Sequence, residues 1–199
     1  MKDIRNLNNS EIEAIQSCHD WRDDCPVTLD RLKIVTVEHY DFVGSVQEGQ
    51  IIVLDLVADA ISAVFSELFN QKFPIHQLVP SHSYKGDDLA SMEANNSSAF
   101  NCRMIMAEGT WSSHSYGVAI DINPHQNPYV LIDHQESTAK IYPSNGTMYL
   151  NRHVQKQGML EPVVDVFKQH GFTEWGGKWD DRLDYHHFQV PWDDISSMI

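Results

Sequence analysis

The segment from Asp55 to Gln71 constrains the fold most, because its apolar residues recur at intervals of three and four. This spacing places them on one face of an α-helix, and that face must pack on other apolar residues. The residues concerned are Val57, Ala60, Ile61, Val64, Phe65, Leu68 and Phe69. Two preceding segments, Leu32–Tyr40 and Gln50–Leu54, are rich in β-branched residues and are typical of strands. We therefore expect a helix that lies on a sheet.

The rest of the chain mixes helices and strands without a regular βαβ alternation. A capping box at Ser10–Glu13 predicts a short N-terminal helix, and Glu161–His170 is a second amphipathic helix, ended by Gly171. Further strands are predicted at Arg103–Met106, Val118–Ile122 and His186–Val190, and irregular structure at Ser81–Ser98 and Tyr129–Asn151. The predicted fold class is α+β, with a small, mostly antiparallel sheet flanked by helices.

We divide the chain into an N-terminal helical extension, residues 1–30, and one domain over residues 31–199. Of the 199 residues, 42% are hydrophobic, which is enough for a core that does not depend on disulfides. The longest apolar stretch, Ile51–Val57, contains Asp55 and is far shorter than the ~18 residues of a membrane span. The first residues are polar, so the sequence given contains no secretory signal.

The charge and the cysteines exclude further classes. Acidic residues outnumber basic ones by 28 to 14, and a net charge of −14 argues against nucleic acid and anionic membrane surfaces as partners. The three cysteines, Cys18, Cys25 and Cys102, include no C-x-x-C pair, which argues against a zinc ribbon or a disulfide framework. Whether Cys18 and Cys25 form a bridge is left open.

Two segments concentrate side chains that bind metals, one around His114 and one around His187. A catalytic zinc takes three nitrogen or oxygen ligands and leaves a fourth position for water. His114, Asp121 and His187 make such a set. The step of seven residues between His114 and Asp121 suits a loop ligand followed by a strand ligand, with Gly117 allowing a tight turn between them.

Asp184 lies three residues before His187, which permits two roles. It can act as the general base for a metal-activated water, or it can accept a hydrogen bond from His187 and orient that ligand. The spacing favours neither role. His186 directly precedes His187, and alternation along a strand would place it on the opposite face. We therefore do not expect His186 and His187 to bind one ion.

Together, Ser112-x-His114-x-x-Gly117-x-Ala119-x-Asp121 and Asp184-x-x-His187-Phe188 resemble the signature of the VanY-like peptidases. These are the zinc D-alanyl-D-alanine carboxypeptidases and L-alanyl-D-glutamate endopeptidases of peptidoglycan. The similarity extends over roughly Leu32 to Val190, and includes Ser98–Arg103, Asp121–Pro124, Asn127–Tyr129 and Trp175–Trp179. The resemblance implies a Hedgehog/D,D-peptidase fold with one bound zinc ion.

Carried over to this chain, the resemblance implies His114, Asp121 and His187 as zinc ligands and Asp184 as catalytic acid and base. It also implies that Arg103 stabilises the oxyanion, because a fixed guanidinium aimed at developing charge lowers its energy. The alternative for Arg103 is a structural ion pair with a carboxylate. Candidates for substrate contacts are Ser112, Tyr116 and Trp179.

The implied function is hydrolysis of a peptide bond in the peptidoglycan stem peptide, in the periplasm or the extracellular cell wall. Which bond is cut, its stereochemistry, the export route and the oligomeric state are left open. A non-catalytic, zinc-containing binding module of the Hedgehog-like kind is the main alternative, and hydrolysis of a non-peptide substrate is another. Asp184 and Arg103 favour an enzyme, because a purely structural zinc site needs neither of them.

Overall fold

The long helix lies on a three-stranded antiparallel sheet. The computed structural model of the protein describes residues 3–105, 109–180 and 182–199. Strands β1 (Asp3–Asn6), β2 (Leu32–Tyr40) and β3 (Val46–Leu54) follow one another in this sheet. Helix α1 (Asn9–Ser17) separates β1 from β2, and α2 (Ala58–Asn70) follows a 3-10 turn after β3 and packs on β2. The predicted long helix and its sheet are confirmed.

The N-terminal helix is capped two residues earlier than predicted, by Asn8 in place of Ser10. Asn8 Oδ1 accepts a hydrogen bond from the Glu11 N–H at 3.0 Å, and the Asn8 N–H donates to Glu11 Oε2 at 2.7 Å. The capping box therefore consists of Asn8 and Glu11 and not of Ser10 and Glu13, because asparagine caps as well as serine does and comes first in the chain. The segment before the helix, β1, pairs with β2.

The segment predicted as irregular between Ser81 and Ser98 contains regular structure. Strand β4 (Gln77–Leu78) pairs in parallel with β5 (Asn96–Ser97), and helix α3 (Asp88–Glu93) lies between them. Asp87 caps α3, because its Oδ1 accepts from the N–H of Ala90 at 3.0 Å. The aspartates interpreted as turn residues thus begin a helix, and the prediction was wrong there.

The strands that follow β5 are short. Strand β6 (Met104–Ile105) pairs with β7 (Thr110–Trp111), and β8 (Ala119–Asp121) comes next. The strand predicted at Arg103–Met106 is confirmed for Met104 and Ile105, and Met106 is outside the described residues. Strands β9 (Tyr129–Asp133) and β10 (Thr138–Tyr142) form a hairpin.

This hairpin contradicts the irregular structure that we predicted over Tyr129–Asn151. Its turn is held by Asp133, whose Oδ1 accepts from the N–H groups of Gln135 and Glu136. That turn has none of the glycine-containing pairs that mark a short hairpin in a sequence, so the pattern did not predict it.

Two helices and three strands complete the chain. Helix α4 (Val164–Gln169) follows a 3-10 turn and is shorter than the helix predicted at Glu161–His170, and α5 (Trp192–Ile195) lies near the C-terminus. Between them, β11 (Glu174–Trp175), β13 (His187–Gln189) and β8 form one antiparallel sheet, and β12 (Arg182–Asp184) pairs with β9.

One apolar core joins these parts. The rings of Phe167 in α4 and Phe188 in β13 stack at 3.9 Å between centroids and lie in the same buried cluster as α2 and β2. The fold is α+β, with several small sheets in place of the single sheet predicted, and the β4–β5 ladder is parallel while the other named ladders are antiparallel. Among the described residues, no helix has the length and apolarity to cross a membrane.

A disulfide joins Cys25 to Cys102 across 77 residues. Cys18, which we had considered as the partner of Cys25, is a free thiol. The bridge ties the N-terminal segment to the residue directly before Arg103.

Candidate metal centre

Strand pairing brings two of the predicted ligands together. In the β8–β13 ladder, His187 lies opposite Asp121. His114 lies on a 3-10 turn before β8, and Gly117 ends this turn with a φ of +69°. A Cβ at Gly117 would lie 2.6 Å from the backbone nitrogen of Leu54, so no larger residue fits. The predicted step from a loop ligand to a strand ligand is therefore present.

The three side chains meet in a buried cluster. His114 Nε2 lies 3.2 Å from Asp121 Oδ2, and His187 Nδ1 lies 3.0 Å from Asp121 Oδ1. The two ring nitrogens are 3.1 Å apart. All three residues are at most 5% exposed. One ligand atom from each lies within 4.8 Å of the others, so the group can hold a metal ion.

The outer ring nitrogens determine what the histidines present to the cluster. His114 Nδ1 lies 2.5 Å from the carbonyl oxygen of Ala99, which can only accept, so Nδ1 carries the proton. His187 Nε2 lies 2.8 Å from Gln189 Oε1. The Gln189 amide nitrogen donates to Glu174 Oε2 at 2.8 Å, which turns Oε1 towards His187.

With these tautomers, the unprotonated nitrogens, His114 Nε2 and His187 Nδ1, face each other and the carboxylate of Asp121. Such a buried group of acceptors is stable only if a cation or a proton lies between them. Two imidazoles and one carboxylate are the donor set that zinc favours, so the residues fit the ion that the resemblance implied. Without a metal, burial lowers the pKa of His187, but the hydrogen bond and charge of Asp121 raise it above its ordinary value.

Gln189 and Glu174 were not identified from the sequence. Gln189 lies two residues after His187 in β13, and side chains two apart in a strand share a face. That spacing is the signal that could have found it. Since Gln189 orients His187, the orienting role considered for Asp184 is already filled.

Asp184 and His186 lie beside the cluster. Asp184 ends β12, and His186 occupies the turn before β13. His186 Nε2 is 2.9 Å from Asp184 Oδ1 and 3.8 Å from Asp121 Oδ2. Our prediction that His186 faces away from the ligands was wrong, because strand alternation does not apply to a turn residue. Burial lowers the pKa of His186, but the two carboxylates raise it, to about 10.

Arg103 is connected to the cluster through its backbone. Its N–H donates to Ser115 Oγ at 2.9 Å, and its carbonyl accepts from the N–H of Ser112 at 3.1 Å, so it lies beside the turn that carries His114. Its guanidinium Nη2 pairs with Asp88 Oδ2 at 3.0 Å, which is the ion pair considered from the sequence. Its Nε–H is buried and finds no acceptor within the described part of the chain.

The three candidate substrate contacts lie in different places. The Trp179 ring lies 5.3 Å from the His187 ring, at the cluster. Ser112 Oγ accepts from the His114 N–H at 3.3 Å and caps its turn. The Tyr116 ring packs edge-on against Trp192 of α5. Their contact with substrate stays a prediction.

The cluster lies in the part of the chain that matches a known family. Residues 106–190 match the family model described as D-alanyl-D-alanine carboxypeptidase. The matched segment is less than half of the chain. It contains His114, Asp121, Asp184 and His187, whereas Arg103 precedes it. No curated protein and no solved structure matches the chain. Residues 106–190 are therefore similar to the D-alanyl-D-alanine carboxypeptidase family model, which agrees with the VanY-like resemblance.

Proposed function

We propose that the protein is a zinc metallopeptidase that hydrolyses a peptide bond in the peptidoglycan stem peptide. The observation that carries this proposal is the group of lone pairs of His114, His187 and Asp121, which converge within the segment that matches the carboxypeptidase family. The proposal includes the Hedgehog/D,D-peptidase fold that the resemblance implies. His114, Asp121 and His187 would hold one zinc ion, which polarises a carbonyl and lowers the pKa of water when it is bound.

Asp184 is the residue that we assign to proton transfer. Its Oδ1 contacts His186, and we assign Oδ2 to accept the proton of the attacking water and to deliver it to the leaving amine. Because Gln189 already orients His187, Asp184 is available for this role.

Arg103 is the residue that we assign to the carbonyl oxygen on which negative charge develops. Asp88 pairs with Nη2 on one side of its guanidinium, and the buried Nε–H has no acceptor among the described residues. A positive charge that is already in place stabilises the developing oxyanion more than a mobile one does.

The surroundings support a wall peptide as substrate. Trp179 beside His187 provides an aromatic wall for a peptide, and Ser112 and Tyr116 are the other assigned contacts. The Cys25–Cys102 disulfide is typical of oxidising compartments, which supports the periplasm or the extracellular cell wall. A non-catalytic Hedgehog-like module would need the metal ligands but neither Arg103 nor the Asp184–His186 pair, so these residues favour the peptidase.

The deciding experiment is mass spectrometry of purified muropeptides incubated with the zinc-loaded protein, with the chelated protein and with the Asp184→Asn variant. We expect loss of a terminal D-alanine, or a cut beside L-alanine, with the loaded wild type alone. Asp184→Asn should bind zinc but lose at least about 10²-fold in turnover. The matched control is Asp193→Asn, in an exposed part of α5, which should keep full activity. Unchanged muropeptides with zinc bound would overturn the proposal and favour the binding module.

A further inference from the structure

We propose that His186 is a positioning residue, which holds Asp184 in place through ring Nε2 while ring Nδ1 is anchored to the backbone of Asn127. This inference rests on the proposed function, because it assigns Asp184 as the base. It concerns a residue that the sequence had placed on the opposite face from the ligands.

Each ring nitrogen of His186 lies beside an oxygen, Nδ1 in a hydrogen bond and Nε2 at ion-pair distance. Nδ1 lies 2.8 Å from the carbonyl oxygen of Asn127, and since a carbonyl only accepts, Nδ1 donates. Nε2 lies 2.9 Å from Asp184 Oδ1. The residue is 3% exposed, so water does not replace either contact easily.

The anchor itself is rigid. Asn127 is completely buried, and its side-chain amide donates to the carbonyl oxygen of Gly158 at 2.9 Å. Its Oδ1 accepts from Arg152 Nη2 at 2.9 Å and from the Leu160 N–H at 3.0 Å. The carbonyl that holds His186 therefore belongs to a residue whose own position is fixed from several sides.

The same ring also sets Asp184 relative to the candidate ligands. His186 Nε2 is 3.8 Å from Asp121 Oδ2, so one ring nitrogen lies near the ligand carboxylate and the base carboxylate. In addition, the carbonyl of His186 accepts from the Ile122 N–H at 3.1 Å, directly after Asp121. The ring thus lies beside both carboxylates, and a displacement of about 1 Å between reacting groups can cost about 10²-fold in rate.

The test uses two variants that each keep one half of the ring's contacts. The amide nitrogen of glutamine reaches the place of ring Nε2, and the amide nitrogen of asparagine reaches the place of ring Nδ1. His186→Gln should therefore keep kcat within about fivefold, while His186→Asn should lose about 10²-fold in kcat with an unchanged KM. Both should bind zinc with wild-type affinity in competition with a chromophoric chelator.

The control pair is His39→Gln and His39→Asn. His39 is 4% exposed and its Nδ1 lies 3.3 Å from a backbone carbonyl oxygen, but the residue belongs to β2, in the sheet formed by β1, β2 and β3. Both control variants should keep wild-type kcat. They measure what the loss of a buried imidazole does by itself.

Each outcome decides the proposal. Equal activity of His186→Gln and His186→Asn, retention by asparagine alone, or loss of zinc affinity in both variants would overturn the positioning role. A wild type that cleaves no muropeptide would instead overturn the proposed function and the positioning role with it.

If a His186 variant does not fold, NMR of the intact histidine supplies the answer. The ring nitrogen signals of His186 should move in Asp184→Asn and stay in place in Asp193→Asn. Signals that do not respond to Asp184→Asn would show that the ring does not hold this carboxylate, and would overturn the proposal.

Discussion

Nε2 of His114 lies 3.1 Å from Nδ1 of His187, and the outer nitrogen of each ring faces an acceptor. Two imidazoles in these tautomers repel each other unless a cation or a proton lies between them. We therefore expect zinc to stabilise the fold, by about 2.7 kcal/mol at a free concentration of 100 Kd. For a chain of this size that corresponds to a rise in Tm of roughly 5–10 °C. Thermal unfolding with zinc and with chelator measures it, and Asp121→Asn should abolish the difference. Equal Tm values in the wild type would contradict the metal centre.

Gln189→Leu should weaken zinc binding by about 10–100-fold, because it removes the acceptor that keeps the proton of His187 on Nε2. Chelator competition measures the affinity. Gln50→Leu is the matched control, since Gln50 also makes a side-chain hydrogen bond, to Thr36, but in the first sheet. If both variants bound zinc as the wild type does, the orienting role of Gln189 would be wrong.

The sequence predicted the elements in which a single period or a fixed spacing dominates. The three- and four-residue spacing predicted α2, and the residue types at 114, 121 and 187 predicted the cluster. Both depend on local pattern or on side chains whose chemistry has few alternatives.

The rest depended on contacts that no local pattern records. Cys25 and Cys102 are 77 residues apart, and the β9–β10 turn depends on one side chain, Asp133. The error at His186 has a definite cause: the strand begins at His187, so the alternation did not extend to the residue before it. A boundary error of one residue reversed the expected direction of a side chain.

Arg103→Gln should lower kcat by about 10²-fold without changing zinc affinity, because it removes the charge assigned to the oxyanion. Arg31→Gln is the matched control. Arg31 pairs with Asp55 at 2.8 Å with exposure similar to that of the Arg103–Asp88 pair, but it lies just before β2. Each half-exposed pair should contribute no more than about 1 kcal/mol to stability. If both substitutions lowered kcat on muropeptides equally, the role of Arg103 would be only its structural ion pair with Asp88.

Reduction of the Cys25–Cys102 bridge should destabilise the protein by about 2–4 kcal/mol, because it frees a long loop in the unfolded chain. It should also lower kcat, since Cys102 directly precedes Arg103. Unfolding and muropeptide assays with and without reductant measure both effects. Cys18→Ser should behave as the wild type does in each assay, because Cys18 is a free thiol. A reduced protein with unchanged Tm would contradict this prediction.

A second buried carboxyl group, Asp20, supports the segment that leads to Arg103. Ser81 Oγ lies 2.6 Å from Asp20 Oδ2 and 2.5 Å from the carbonyl oxygen of Phe100. A hydroxyl has one hydrogen to donate, so a protonated Asp20 completes this chain of contacts by donating to Ser81. Burial, together with the charge of Asp88, raises the pKa of Asp20 from near 3.8 to about 7.

The stability of the fold should therefore fall as the pH rises through the pKa of Asp20. A carboxyl whose pKa is raised by folding stabilises the folded state fully below about pH 3.8, and this contribution is lost as the pH rises to about 7. Asp20→Asn stays neutral across this range. The free energy of unfolding of the variant, relative to that of the wild type, should therefore rise by up to about 3 kcal/mol between pH 5 and pH 8. Urea unfolding of both proteins across this range measures the contribution of Asp20. The groups that face it, Asp88 and the Cys18 thiol, are present in both proteins. A constant difference between the two proteins would show that Asp20 is ionised in the folded state throughout, and that Ser81 donates to it.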